Sequence, residues 1–171
     1  MSYAVISPCR RFRYTLTREW DDDKPSVTFI MLNPSTADAD QDDPTIRRCI
    51  GFAKSWGYGS LTVVNLFAWR ATDPRQLVTM DRIGPDNDDW IRRMCATHGT
   101  QLVVCAWGIH GALFDRGESV RGVLCFRDVH HLGLTKGGHP RHPLYLKGDT
   151  TPIPWPWDTP PDDRARRKEK L

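Results

Sequence analysis

Residues 27–36 are the stretch that most restricts the fold of this chain. The sequence Val-Thr-Phe-Ile-Met-Leu is apolar or β-branched and stops abruptly at Asn33-Pro34-Ser35-Thr36. A continuous run of this kind is typical of a strand that is buried on both faces. Proline lacks the amide hydrogen that a strand ladder needs and disfavours a helical residue before it, so we expect Asn33 at the strand tip. A plain turn is the alternative, because these residue types are common in turns.

Composition indicates one folded domain. The chain has 171 residues, of which 39% are hydrophobic and 26% charged, and this balance excludes wholesale disorder. We expect an α/β domain over residues 1–150 and a Pro-rich, basic tail over residues 151–171. No apolar run approaches the roughly 20 residues of a membrane span, and the N-terminus does not resemble a signal peptide. A cytoplasmic protein without a membrane partner is the expectation. The net charge of +3 permits an anionic partner without requiring one.

The order of the elements predicts the fold class. The predicted strands are 11–20, which is half-buried and a possible antiparallel edge, then 27–32, 61–67, 102–107 and finally 129–134 as the last strand of the sheet. The predicted helices run from Asp43 to Gly57 or Gly59, around 76–80, from Asp86 or Asn87 to His98, and over 112–126. Strands that alternate with helices and are almost continuously apolar favour a three-layer α/β/α fold with a mostly parallel central sheet.

Polar and aromatic side chains occur where the predicted strands end. If the sheet is parallel, Asn33, Asn65, Trp107 and the histidines of residues 135–145 share one edge, which is where open α/β sheets bind ligands. An asparagine amide matches the donor and acceptor edge of a nucleobase, and Phe67 or Trp107 would stack on its face. A neutral histidine, His139 or His142, would donate a hydrogen bond to a developing negative charge.

Each of these residues also has an ordinary structural interpretation. Asn65 would hydrogen-bond a loop backbone, and Trp107 would pack in the core. His139 and His142, which stand beside prolines, would stiffen their loop. The expected joint placement of these residues at strand ends is what favours function.

A second group of residues is suited to phosphate or to loop contacts. It consists of Ser35, Thr36, Arg70, Thr135 and Lys136. One hypothesis is therefore an enzyme for sugar phosphates or nucleotides that clamps phosphate with Arg70 and Lys136. The alternative near Arg70 is a turn in which Asp73 caps the segment that begins at Pro74.

Neither a metal nor a cofactor is predicted. The five cysteines are far apart without a Cys-x-x-Cys pair, which favours buried, reduced thiols, and their spacing to histidines fits no zinc site. The acidic loop, residues 36–43, lacks the glycine and closing glutamate of a calcium-binding loop. A solvated loop that ends in a helix cap at Asp43 is the preferred interpretation, with a cation site as the alternative.

Several motifs together resemble the bacterial and phage family DUF1643. They are Arg-Tyr-Thr-Leu at 13–16, Met-Leu-Asn-Pro-Ser-Thr-Ala-Asp at 31–38, Asp-Pro-Thr-Ile-Arg-Arg-Cys at 43–49, Val-Asn-Leu-Phe-Ala-Trp-Arg-Ala-Thr-Asp-Pro at 64–74, Trp-Gly at 107–108 and His-Pro-Arg-His-Pro-Leu-Tyr at 139–145. The resemblance extends to about Leu146, and it brings no settled activity.

The order of motifs is more distantly similar to the uracil-DNA glycosylase superfamily. That resemblance implies that Asn33 orients an attacking water, that Asn65 reads a base, and that His142 or His139 steadies the leaving base. It implies a nucleotide or DNA as partner, without a cofactor, and hydrolysis of an N-glycosidic bond. A non-catalytic nucleotide or nucleic-acid binder on the same fold is the alternative, because an asparagine cannot act as a general base.

Overall fold

The computed structural model describes residues 1–124 and 127–156. Seven strands in this part of the chain form one sheet, in the spatial order β1-β2-β4-β3-β5-β6-β7. The strands are β1 (Ser2–Ile6), β2 (Arg13–Glu19), β3 (Ser26–Met31), β4 (Ser60–Asn65), β5 (Thr100–Cys105), β6 (His130–His131) and β7 (Ile153–Pro154). The α-helices are α1 (Pro44–Ser55), α2 (Asn87–Ala96) and α3 (Arg116–Val123), with 3-10 helices at Pro74–Gln76, Met80–Ile83, Ile109–Asp115 and Pro143–Tyr145.

The sheet is mixed rather than mostly parallel. β3 is parallel to β4 and to β5, and β5 is parallel to β6. The pairs β1–β2, β2–β4 and β6–β7 are antiparallel. The prediction is therefore right for the four central strands and wrong for the whole sheet. β2 is antiparallel to its neighbour β4, as the prediction allowed, but it is not the edge, since β1, which was not predicted, pairs along its outer side.

Helices cover both faces of the sheet, as predicted. On one face, Ile46 and Phe52 of α1 pack with Phe29 of β3. On the other face, Ile91 of α2 and Val120 of α3 belong to a second buried cluster. Because both faces are covered, residues at successive positions of β3 are buried, and this explains why Val27 to Met31 are all apolar or β-branched.

The start of α1 agrees with the sequence. Asp43 is extended, its Oδ1 accepts a hydrogen bond from the Ile46 amide at 2.9 Å, and Pro44 is the first helical residue. This cap satisfies one of the amide groups that have no partner inside the helix. Gly57 follows the helix with φ of +86°, a conformation that glycine adopts without strain.

Two predicted elements are shorter than expected. The helix predicted over 112–126 begins as an α-helix at Arg116, because Phe114 and Asp115 have φ of +54° and +51° and interrupt it. Residues 125 and 126 at its predicted end lie outside the described residues. The strand predicted over 129–134 is reduced to β6, since Gly133 turns the chain with φ of +104°.

The segment after residue 150 contributes to the sheet and the core. β7 pairs with β6, so β6 is not the last strand, and Trp155 is 7% exposed and packs on Trp107 and His131. The beginning of the predicted Pro-rich tail is thus paired with the sheet and anchored by an aromatic side chain. The basic part of the tail, 164–170, lies outside the described residues. Among the described helices, none has the length and apolarity needed to cross a bilayer.

Candidate functional site

A cleft of about 590 Å³ lies where β3, β4 and β5 end. We call it the strand-end cleft. Its walls include the residues that follow these strands, the first turn of α1, and the 3-10 helix Pro143–Tyr145. Parallel strands deliver their carboxyl ends to one edge, and β3, β4 and β5 are mutually parallel neighbours. The topology thus explains why residues distant in sequence meet here.

The cleft brings together about half of the predicted site residues. Those that line it are Asn33, Ser35, Asn65, Trp107, Thr135 and His142. Those that do not are Thr36, Phe67, Arg70, Lys136 and His139.

Asn65, the last residue of β4, has an unusual environment. It is 1% exposed, and neither its Oδ1 nor its Nδ2 has a hydrogen-bond partner among the described residues. A buried amide without partners costs about 1–3 kcal/mol by protein mutational data. The alternative in which this side chain holds a loop backbone therefore has no support. The amide is a donor and acceptor pair at the cleft, and a ligand would supply its partners.

Two side chains from the opposite face of the sheet hold the end of β4 in place. Nδ2 of buried Asn87 donates to the Asn65 carbonyl at 2.8 Å and to the Leu66 carbonyl at 3.1 Å. Nε of Arg116 also donates to the Leu66 carbonyl at 2.8 Å, and Arg116 forms an ion pair with Asp88. These bonds fix the backbone of Asn65, and they position its unpartnered amide. From the sequence, Asn87 was expected only at the possible start of a helix.

Asn33 retains only an acceptor for a ligand. Its Nδ2 donates to the Pro34 carbonyl at 3.0 Å and to the Ala71 carbonyl at 2.7 Å. Both amide hydrogens are thus occupied in tying the end of β3 to the loop that follows β4. Oδ1 remains to accept a hydrogen bond, for instance from water, but it cannot remove a proton.

The two predicted stacking residues belong to the core. Phe67 is fully buried and contacts Phe114 edge-on, so the structure does not bring it to the cleft. Trp107 is 2% exposed, and its indole packs on Trp155. Gly111 also lies against the indole, so closely that a Cβ at position 111 would be 2.0 Å from the ring. Trp107 therefore packs in the core, as its ordinary interpretation expected, although it also lines the cleft.

The structure separates the two candidate histidines. His142 lines the cleft, and its Nδ1 accepts a hydrogen bond from the Leu144 amide at 3.3 Å. This bond leaves the neutral ring with its hydrogen on Nε2. Burial lowers the pKa of His142, and the charge of Asp43 opposes that shift. His139 instead belongs to a turn in which its amide donates to Thr135 Oγ1 at 3.2 Å.

Arg13 and Asp43 line the cleft although neither was a predicted site residue. Arg13 begins β2, which is antiparallel to β4, so the start of β2 lies at the edge where β4 ends. Burial lowers the pKa of Arg13 to about 10, while the charge of Asp43 acts in the opposite direction. The antiparallel pairing is the signal that would have placed Arg13 in the site.

Three of the four carboxylates of the acidic loop have protein partners. Oδ1 of Asp38 accepts from the Asp40 and Gln41 amides, each at 2.9 Å. Asp42 forms an ion pair with Arg18 at 2.9 Å, and Asp43 caps α1. These contacts support the loop and cap interpretation over the cation site.

The cysteines in the described part of the chain are free thiols. Cys49, Cys95 and Cys105 are buried, Cys9 is exposed, and Cys125 lies outside the described residues.

Comparison with known proteins gives a family match. A family model described as "Protein of unknown function (DUF1643)" matches residues 13–144. No curated protein and no solved structure matches the chain.

Proposed function

This chain belongs to the DUF1643 family, and we propose that its strand-end cleft binds a nucleobase, carried by a nucleotide or turned out of DNA. The observation that carries the proposal is the amide of Asn65, which is buried at the cleft without a hydrogen-bond partner. A nucleobase edge offers a donor beside an acceptor, which is the arrangement that an asparagine amide pairs with. Since solvent reaches 1% of Asn65, cleft side chains must shift to admit the base.

The reaction that we propose for this cleft is hydrolysis of an N-glycosidic bond. The bond from C1′ to the base nitrogen would break with its electron pair leaving on the base, and a hydrogen bond from His142 Nε2 would stabilise that charge. Oδ1 of Asn33 would orient the water whose oxygen forms the new bond to C1′, and the proton that this water releases would pass to solvent and then to the departed base. A base in duplex DNA would have to leave the stack before it reached Asn65. On this proposal the fold is a divergent relative of the uracil-DNA glycosylases, with the Asn33, Asn65 and His142 positions in common.

The second candidate is a binder of nucleotides or nucleic acid without catalysis. The bonds from Asn33 to the Pro34 and Ala71 carbonyls favour it, because they give this side chain a structural role. An amide oxygen also cannot take the proton of an attacking water.

The test is release of free base from single- and double-stranded DNA that carries uracil or modified pyrimidines. We expect the wild-type protein to release free base and the variants Asn65→Ala and Asn33→Ala to release none. Gln101→Ala is the matched control, since Gln101 is an exposed amide at the start of β5, the opposite end of the strand from the cleft.

The same variants separate the two candidates. Suppose that the wild-type protein binds a nucleotide, that Asn65→Ala abolishes this binding, and that no substrate releases base at high protein concentration. The non-catalytic binder is then supported and the hydrolase is refuted. If the wild-type protein shows no nucleotide binding and no base release, both candidates are refuted.

A further inference from the structure

Arg13 is a buried cation at the strand-end cleft. It is 2% exposed, and its Nη1 donates to the Ala37 carbonyl. Its Nε is buried without a hydrogen-bond partner, and no ion pair involves Arg13 within residues 1–124 and 127–156. Taking a charged group out of water is costly unless an opposite charge compensates it, so a buried arginine normally has an anionic partner.

The acidic groups around Arg13 are engaged elsewhere. Asp43 uses Oδ1 to cap α1, and Oδ1 of Asp38 binds backbone amides of its own loop. Asp42 is paired with Arg18. Arg70 is a second basic group here: its positive charge acts on Arg13, and its Nε is also buried without a hydrogen-bond partner. The charges of Asp43 and Asp38 still act on Arg13, but neither carboxylate forms an ion pair with it in the described part of the chain.

We propose that the cleft contains an anion subsite, centred on Arg13, that takes a phosphate group of the ligand. The inference rests on the proposed function and names its substrate class: a nucleotide rather than a free base or a nucleoside. Arginine suits this role because its planar guanidinium forms paired, charge-assisted hydrogen bonds with phosphate. Arg141, which is exposed and also lines the cleft, adds a second positive charge at its rim.

This subsite differs from the phosphate clamp predicted from the sequence. Neither Arg70 nor Lys136 lines the cleft, and Lys136 is exposed. Arg13 lies on β2, the immediate neighbour of β4, whose last residue is Asn65. A phosphate at Arg13 and a base at Asn65 would therefore occupy adjacent parts of one cleft, as the two ends of a nucleotide do.

The first experiment uses the wild-type protein. Inorganic phosphate is titrated at constant ionic strength, with potassium chloride as the reference, and binding is followed by calorimetry and by amide chemical shifts. We expect phosphate to shift the amides of the cleft residues and chloride to leave them unchanged. Equal responses to both salts, or shifts confined to other surfaces, would overturn the subsite.

The second experiment compares each deoxynucleoside with its 5′-monophosphate and with a short single-stranded oligonucleotide that contains it. Arg13 should favour a phosphorylated ligand over the nucleoside by about tenfold or more, the usual weight of one charge-assisted contact. A preference for the monophosphate identifies a free nucleotide, and a preference for the oligonucleotide alone identifies a phosphodiester. Equal affinity of all three forms would refute the proposal.

Variants then assign the effect to Arg13. In Arg13→Gln the preference for phosphate should disappear, and in Arg13→Lys it should be reduced, because lysine retains the charge and loses the paired donors. Arg92→Gln is the control, since Arg92 is an exposed arginine on α2. If Arg13→Gln does not fold, the wild-type titration and Arg13→Lys decide the matter.

Asn65→Leu distinguishes a failed subsite from a failed function. If this variant loses nucleoside binding and retains phosphate binding, the base site and the anion subsite are both supported. If the wild-type protein binds nucleosides and ignores phosphate, the proposed function stands and the subsite is wrong.

Discussion

Replacing Asn65 by leucine should make the protein more stable while it removes base binding. Leucine has the same branching as asparagine and substitutes two methyl groups for the two unpartnered polar atoms. Relief of an unpartnered buried amide is expected to gain about 1–3 kcal/mol. At a central value of about 2 kcal/mol, Tm would rise by about 4–8 °C for a domain of this size.

Asn87→Leu provides the matched control. Asn87 is as buried as Asn65, and its Oδ1 likewise has no hydrogen-bond partner among the described residues, but its Nδ2 donates to two carbonyl groups. Leucine there removes both hydrogen bonds, and we expect a loss of about 1–3 kcal/mol because a buried acceptor loses its donor.

Urea unfolding, followed by circular dichroism and tryptophan fluorescence, measures both changes. The m-value should remain unchanged, so that a shift in midpoint reports stability rather than compactness. A fall in stability for Asn65→Leu comparable to that of Asn87→Leu would show that the Asn65 amide is satisfied within the protein. The argument for a ligand at this amide would then be wrong.

Three other predictions concern groups around the cleft and the surface. Asp43→Ala should lower the free energy of unfolding by about 0.5–2 kcal/mol through loss of the α1 cap, as measured by urea unfolding. Because burial lowers the pKa of His142, the unfolded state takes up its proton first as pH falls, so stability should decrease below the unfolded pKa of about 6.5. Histidine NMR should show His142 titrating below that value, and the Leu144 amide should exchange faster once Nδ1 is protonated. Iodoacetamide should modify exposed Cys9, whose pKa is lowered by a hydrogen bond from Ser7, long before buried Cys49, which mass spectrometry of peptides would establish.

Local sequence signals predicted the elements that depend on local chemistry. Asp43-Pro44 specified the beginning of α1, and the apolar run before Asn33 specified β3. In each case the determining interaction joins residues close in sequence, such as the side chain of Asp43 and the amide of Ile46. Strand pairing depends on partners that are distant in sequence, and so the antiparallel strands β1 and β7 were missed, whereas β2 was expected as a possible antiparallel strand.

In the candidate site too, some features could be predicted from the sequence and others depend on three-dimensional packing. Asn33, Asn65 and His142 were correctly predicted to share one cleft, because parallel strands place their carboxyl ends at one edge of the sheet and this depends only on topology. Topology could not show how deeply each side chain is buried: Phe67 lies in the core away from the cleft, and Trp107 lines the cleft but is buried. Arg13 was overlooked because an antiparallel strand presents its first residue, not its last, at this edge.

The packing of Trp155 on Trp107 affects how the protein folds during translation. β7 and Trp155 contribute to the sheet and core that support the strand-end cleft, yet they are made more than a hundred residues after Asn33 and Arg13. A nascent chain therefore carries an unfinished cleft, with an open strand edge and an exposed indole, until this last segment has left the ribosome. The interval should make the partly synthesised chain a client for chaperones, and a stop codon just before residue 153 should yield an aggregation-prone product.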